Sequence, residues 1–151
     1  AALLYEPLHR ARLGEEWGGE NLSYALPVFG QLEGRFTSHY SRTYVEAAQE
    51  MLGVPRMEIR HWRALDLLAE LAAELCFEMT MQPGDMQFIN NHVIYHARTA
   101  YHDHIDAGLD RRRLLYRLWL AMPNSRALPA DHAVLWRDVD AGSLRGGIAQ
   151  H

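Results

Sequence analysis

Gln82-Pro83-Gly84-Asp85-Met86-Gln87-Phe88-Ile89-Asn90-Asn91-His92-Val93-Ile94-Tyr95-His96-Ala97-Arg98-Thr99-Ala100-Tyr101 is a run of short, sharply punctuated pieces. Pro83-Gly84-Asp85 is a turn signal, because Pro fixes φ and Gly reaches conformations other residues avoid. Met86 to Ile89 and Val93 to Tyr95 are brief apolar segments on either side of the polar bend Asn90-Asn91-His92. The second apolar segment runs directly into His96.

The neighbouring sequence extends this pattern. Phe77, Met79 and Met81 alternate with Glu78, Thr80 and Gln82, the period of a half-buried strand. Further on, Leu114 to Leu120 reads as an apolar strand with Arg113, Leu115, Arg117 and Trp119 on one face. The polar stretch His102 to Asp110 between them reads as a loop, and the chain from Pro123 onward as loop-like. Upstream, Trp62, Leu65, Leu68, Ala69, Ala72 and Leu75 recur at three- and four-residue spacing, which predicts a helix over 58–75. Ser41 to Met51 predicts a shorter helix, with Ser41 or Thr43 as N-cap and Gly53 past its end. Tyr24 to Phe29 contains Pro27 and suits an edge strand. Gly30 to Gly34 then suits a hairpin turn, and Arg35 to Tyr40 its return strand. Residues 1–22 read as loop plus a short helix or strand. The sum is α+β and mainly β, with an antiparallel sheet or a barrel and helices grouped mid-chain.

Composition narrows the classes. At 151 residues the chain is long enough for one domain with a core. A net charge of −4 offers no footprint for nucleic acid. No apolar run approaches the roughly 20 residues that span a bilayer. One cysteine, Cys76, excludes an internal disulfide framework and fits a reducing, cytoplasmic setting.

Two elements carry chemistry. An arginine inside a strand as apolar as Leu114–Leu120 is costly unless paired, and its planar fork suits a carboxylate. A histidine ending a neighbouring strand suits a transition metal. Together they fit a metal plus a chelating keto acid. On residue pattern alone two plainer readings stand beside this one. Arg117 could pair with an Asp or Glu of the same protein, and His96 could be a hydrogen-bonded core or rim histidine.

The run from Gln82 to Tyr101 resembles the distal-histidine motif of taurine dioxygenase-like oxygenases. Arg113 to Leu120, with two arginines four residues apart, resembles their 2-oxoglutarate strand. The resemblance is dense over about 81–120. It is looser over 27–49, where Gly34-Arg35 and Tyr40-Ser41-Arg42 are similar to a hairpin on the substrate side. Gly142 to Ile148 is similar to a family C-terminus. It implies a partial double-stranded β-helix, or jelly roll, with helices packed on one side. It also implies an Fe(II)- and 2-oxoglutarate-dependent dioxygenase acting on a small, anionic organic substrate with dioxygen, and releasing succinate and carbon dioxide. His96 is then an iron ligand. Arg117 is the main partner of the 2-oxoglutarate carboxylate and Arg113 a secondary one. Asn91 and Thr99 flank the ligand, and Tyr40 and Arg42 face the substrate. His96, Arg113 and Arg117 are expected to share one cavity. A homo-oligomer is compatible with this reading.

The sequence departs from the family in one respect. The first two iron ligands come from a His-x-Asp or His-x-Glu upstream of the distal histidine. The one such triplet here, His104-Ile105-Asp106, follows His96 in a polar loop. The expectation is therefore a C-terminal part of a larger oxygenase domain, with residues 1–151 as one unit. Alone, such a part is inactive and leaves Phe77, Met79, Phe88, Leu115 and Trp119 without a covering sheet. The other reading is a non-catalytic jelly-roll binding or interaction domain that has lost its iron site.

Overall fold

The computed structural model describes residues 1–16, 18–100 and 114–145. Arg113, the cluster His102-Asp103-His104-Asp106 and Gly146 to Ile148 lie outside the described residues. A 3-10 turn over Ala2–Tyr5 leads into β1 (Leu8–Ala11), which pairs antiparallel with β2 (Ser23–Leu26) from Leu8↔Leu26 to Ala11↔Ser23. β3 (Phe29–Leu32) and β4 (Arg35–Ser38) form a second antiparallel pair, from Phe29↔Ser38 to Leu32↔Arg35.

The hairpin is tighter than the sequence suggests. Its turn is Glu33-Gly34 alone, with φ of +50° and +74°. Positive φ at both central residues is the twist-matched geometry of a two-residue hairpin. The expected single strand over 24–29 is broken. Pro27 has no N–H to give a ladder, so β2 stops at Leu26 and β3 starts at Phe29.

The two helices appear where periodicity places them. α1 spans Arg42–Gln49 after Ser41, and Gly53 follows with φ +82°. α2 spans Ile59–Glu74. Leu4, Leu8, Val28, Val45 and Leu65 form the buried core, with Tyr40, Trp62 and Leu68 packed on it. Only the first half of α2 is used this way. Leu71 and Leu75, near its C-terminal end, are exposed.

At the centre of this half lies Arg10, fully buried, a residue that sequence patterning does not single out. Its guanidinium donates to the carbonyls of Leu8 (3.2 Å), Leu26, Pro27 (3.4 Å) and His39 (3.0 Å). Burial holds its pKa down to about 10. The side chain ties β1 to the Pro27 break and to the residue after β4, and gives their carbonyls a buried donor.

Residues 75–100 and 114–122 correct the sequence reading. Phe77–Met81, Val93–Tyr95 and Leu114–Leu120 read as strands and Met86–Ile89 as a short apolar segment, yet none of the four is a strand or helix. A strand needs a neighbour to complete its N–H and C=O bonds, and the described residues offer these segments none. Their apolar side chains stay uncovered: Phe77 is 87% exposed, Phe88 78% and Leu118 82%. The described residues do not build a double-stranded β-helix.

The tail also differs from expectation. After Pro123 it folds into a 3-10 turn (Ala130–His132) and α3 (Ala133–Trp136). Leu128 and His132 are buried. The Leu128 N–H donates to Val139 (2.9 Å), and the Arg12 guanidinium donates to the carbonyl of Val134 (2.9 Å). Gly30 allows the close approach. A Cβ there would lie 3.0 Å from the His132 ring and 3.0 Å from Pro129.

Candidate functional site

The turn at Pro83-Gly84-Asp85 forms as read. The Asp85 N–H donates to Gln82 (3.0 Å), the Gln82 N–H donates to the Asp85 carboxylate (2.7 Å), and Gly84 has φ +97°. The Asn90 bend also forms. The Asn90 carbonyl accepts from Val93 (3.1 Å) and Ile94 (3.0 Å), and its side-chain oxygen accepts from the His92 N–H (3.1 Å). Asn is suited to this because its side chain can mimic a backbone turn.

The bend docks on β4. The Ser38 N–H and the Thr37 hydroxyl both donate to the His92 carbonyl, at 2.8 and 3.2 Å. The Ser38 hydroxyl donates to the Val28 carbonyl (2.9 Å) and accepts from the Tyr95 hydroxyl. The Tyr95 ring lies 5.6 Å from Tyr40. The β3–β4 hairpin therefore fixes where the chain leaves toward His96.

His96, Asn91 and Thr99 are all exposed. Arg117 is exposed as well, with its guanidinium 5.9 Å from the Trp119 ring. No carboxylate pairs with Arg117 among the described residues. Burial raises the Tyr44 hydroxyl pKa, and the Arg117 charge works against that rise.

Arg42 is differently placed. It bonds Glu46 at 2.8 Å and Asp66 at 2.5 Å, and lies over the Trp62 ring. The hydrogen bonds to Glu46 and then Asp66 raise its pKa above the ordinary value. Its charge is thus balanced within the chain, and Tyr40 packs on Tyr95.

Trp136 is the feature that sequence reasoning missed. Its ring lies 5.6 Å from His92, 6.2 Å from His39 and 5.6 Å from Trp119. Burial lowers His39 to a pKa of about 3, with Arg10, His132 and His92 adding to the effect. Burial lowers His92 to about 4, with Arg145, Arg126 and His132 adding. Both rings are neutral at pH 7. A tryptophan near the end of a tail that reads as loop carries no periodic signal, which is why the contact was not legible.

Among the described residues, no group of three or more His, Cys, Asp or Glu side chains could hold a metal ion. These residues do not by themselves make an iron site. No described helix is long and apolar enough to cross a membrane.

Hairpin, docked bend and exposed arginine segment lie within the stretch that matches a known family. Residues 26–119 match "Taurine catabolism dioxygenase TauD, TfdA family", and the chain belongs to that family of oxygenases. It is 35% identical over 119 residues to FR-33289 synthase of Streptomyces rubellomurinus (strain ATCC 31215), covering 77% of this chain and 35% of that protein. The chain thus spans about a third of that relative's length.

Proposed function

We propose that this chain is part of an Fe(II)- and 2-oxoglutarate-dependent dioxygenase that oxidises a small organic molecule with dioxygen and releases succinate and carbon dioxide. The observation that carries this reading is the extent of the family match, 26–119, which includes both His96 and Arg117. In this reading Arg117 grips the carboxylate of 2-oxoglutarate remote from the metal, with Arg113 in support. His96 supplies one imidazole to the iron, and Asn91 and Thr99 orient it. The remaining ligands and the sheet covering residues 75–95 and 114–120 come from chain outside these 151 residues. Tyr40 and Arg42 face the substrate in this reading, which makes an anionic molecule the class to try first. Iron and co-substrate supply the oxidising power, while the protein binds, orients and excludes water.

The test is 2-oxoglutarate binding by the complete protein. Arg117→Ala should weaken it strongly, because losing a buried charge-assisted partner costs about 2–5 kcal/mol. Arg117→Lys should recover only part, since a point charge replaces a planar fork. Unchanged binding in Arg117→Ala would remove the assignment and leave the interaction-domain reading.

A further inference from the structure

α3 is short, yet it is held from several sides. The Arg12 guanidinium donates to the Val134 carbonyl at 2.9 Å, which ties α3 to β1. The buried His132, just before α3, packs against Gly30 of β3. The Arg137 N–H closes the helix on the Ala133 carbonyl at 2.8 Å. Trp136 therefore stands on a fixed base. Its indole N–H is buried without an acceptor among the described residues, so the residue acts through its ring.

Two ring contacts meet there that join distant parts of the chain. The His92 ring, on the bend leading to His96, lies 5.6 Å away at 72°. The Trp119 ring, on the segment carrying Arg117, lies 5.6 Å away at 50°. Neither segment is held by a ladder in this structure. The bend has its bonds to β4, whereas among the described residues the Arg117 segment makes no backbone hydrogen bond before Met122. The Trp119 ring packs on Trp136, and the Arg117 guanidinium lies over that same Trp119. The series Arg117–Trp119–Trp136–His92 links the proposed co-substrate residue to the bend before His96. Trp136 itself lies outside the 26–119 match.

We propose that Trp136 is a positioning residue: its ring sets the Arg117 segment against the Asn90–Tyr95 bend and so fixes where 2-oxoglutarate is held. This rests on the reading of Arg117 given above. Large side chains do this well, because an aromatic pair adds directional packing to buried area. Displacement of a binding group by about 1 Å can cost up to about 100-fold in function.

The experiment uses the complete, metal-loaded protein under anaerobic conditions, with 2-oxoglutarate as the titrant and amide hydrogen exchange as a second readout. Trp136→Ala should weaken 2-oxoglutarate binding by roughly tenfold, and Trp136→Phe by less. In Trp136→Ala, amides of residues 90–95 and 114–120 should exchange faster together, while α2 keeps its protection. The proposal is overturned if binding is unchanged, if only residues 130–140 lose protection, or if both variants also loosen α2. Arg117→Ala is the control. It should weaken binding while leaving exchange over 90–95 as it was. If it leaves binding intact, the reading of Arg117 fails on its own, and the joint change in exchange still decides whether Trp136 couples the two segments.

Discussion

Lowering the pH from 7 to 5 should weaken the hold of the Trp136 cluster by a calculable amount. His39 and His92 have pKa values near 3 and 4 in the folded chain, against an ordinary value of 6.5. Both values are depressed, so the unfolded chain binds more protons below 6.5. The stability is complete above that pH and is lost progressively as pH falls toward about 4 for His92 and about 3 for His39. At pH 5 each histidine is still neutral when folded but largely protonated when unfolded. A gap of about 1.5 pH units at about 1.36 kcal/mol each gives roughly 2 kcal/mol for the deeply buried His39, and about half that or less for His92, whose charge solvent partly screens. Because the two rings share one tryptophan, we expect a combined loss of about 2–3 kcal/mol. The variant His39→Phe keeps an aromatic ring against Trp136 and removes the titrating group. Urea unfolding of the complete protein, followed by tryptophan emission at pH 7 and pH 5, gives the difference directly. Titrating groups far from His39 contribute equally to both proteins and cancel. His39→Phe should lose about 2 kcal/mol less than the parent over this interval. An identical loss in the two proteins would refute the reasoning.

Gly30→Ala should destabilise the protein by about 1–3 kcal/mol, because the new Cβ must displace the His132 ring or Pro129; a urea midpoint equal to the parent's would show that the tail does not pack there. The 151-residue chain prepared alone should self-associate, bind a hydrophobic dye and fail to decarboxylate 2-oxoglutarate. Phe77, Met79, Phe88, Leu115 and Trp119 are each at least half exposed in it, so reversible monomeric unfolding would count against this. Arg42→Ala should cost only about 0.5–1 kcal/mol, since its partners Glu46 and Asp66 are exposed, and should leave 2-oxoglutarate binding unchanged.

The legible parts of this chain are those whose structure is set locally. α2 follows from apolar spacing, the β3–β4 hairpin from the turn signal in Gly30 to Gly34, of which only Glu33-Gly34 makes the turn, and the two bends from Pro83-Gly84-Asp85 and Asn90-Asn91-His92. Each needs only its own residues and the core of Leu4, Leu8, Val28, Val45 and Leu65. The strands read at 77–81, 93–95 and 114–120 failed to form for the opposite reason. Alternation marks a surface that wants a partner, and a strand exists only when one is present. Arg10 and Trp136 were invisible for a third reason. A buried arginine bonded only to carbonyls, and an indole gathering rings from three segments, are long-range arrangements without a period. At the site, the distal-histidine motif and the paired arginines carried the family resemblance, and the family match includes both. Arg42 was legible as a charge but not as one already paired with Asp66, a residue one helix away.

The central claim is that His96 holds iron in a 2-oxoglutarate oxygenase. The most direct test is carbon dioxide release from 2-oxoglutarate by the complete protein, with and without added Fe(II), in the parent and in His96→Ala. The parent should show an iron-dependent rate. His96→Ala should lose it, and raising 2-oxoglutarate should not restore it, because the lost group binds the metal and not the co-substrate. Full iron-dependent turnover in His96→Ala would contradict the assignment.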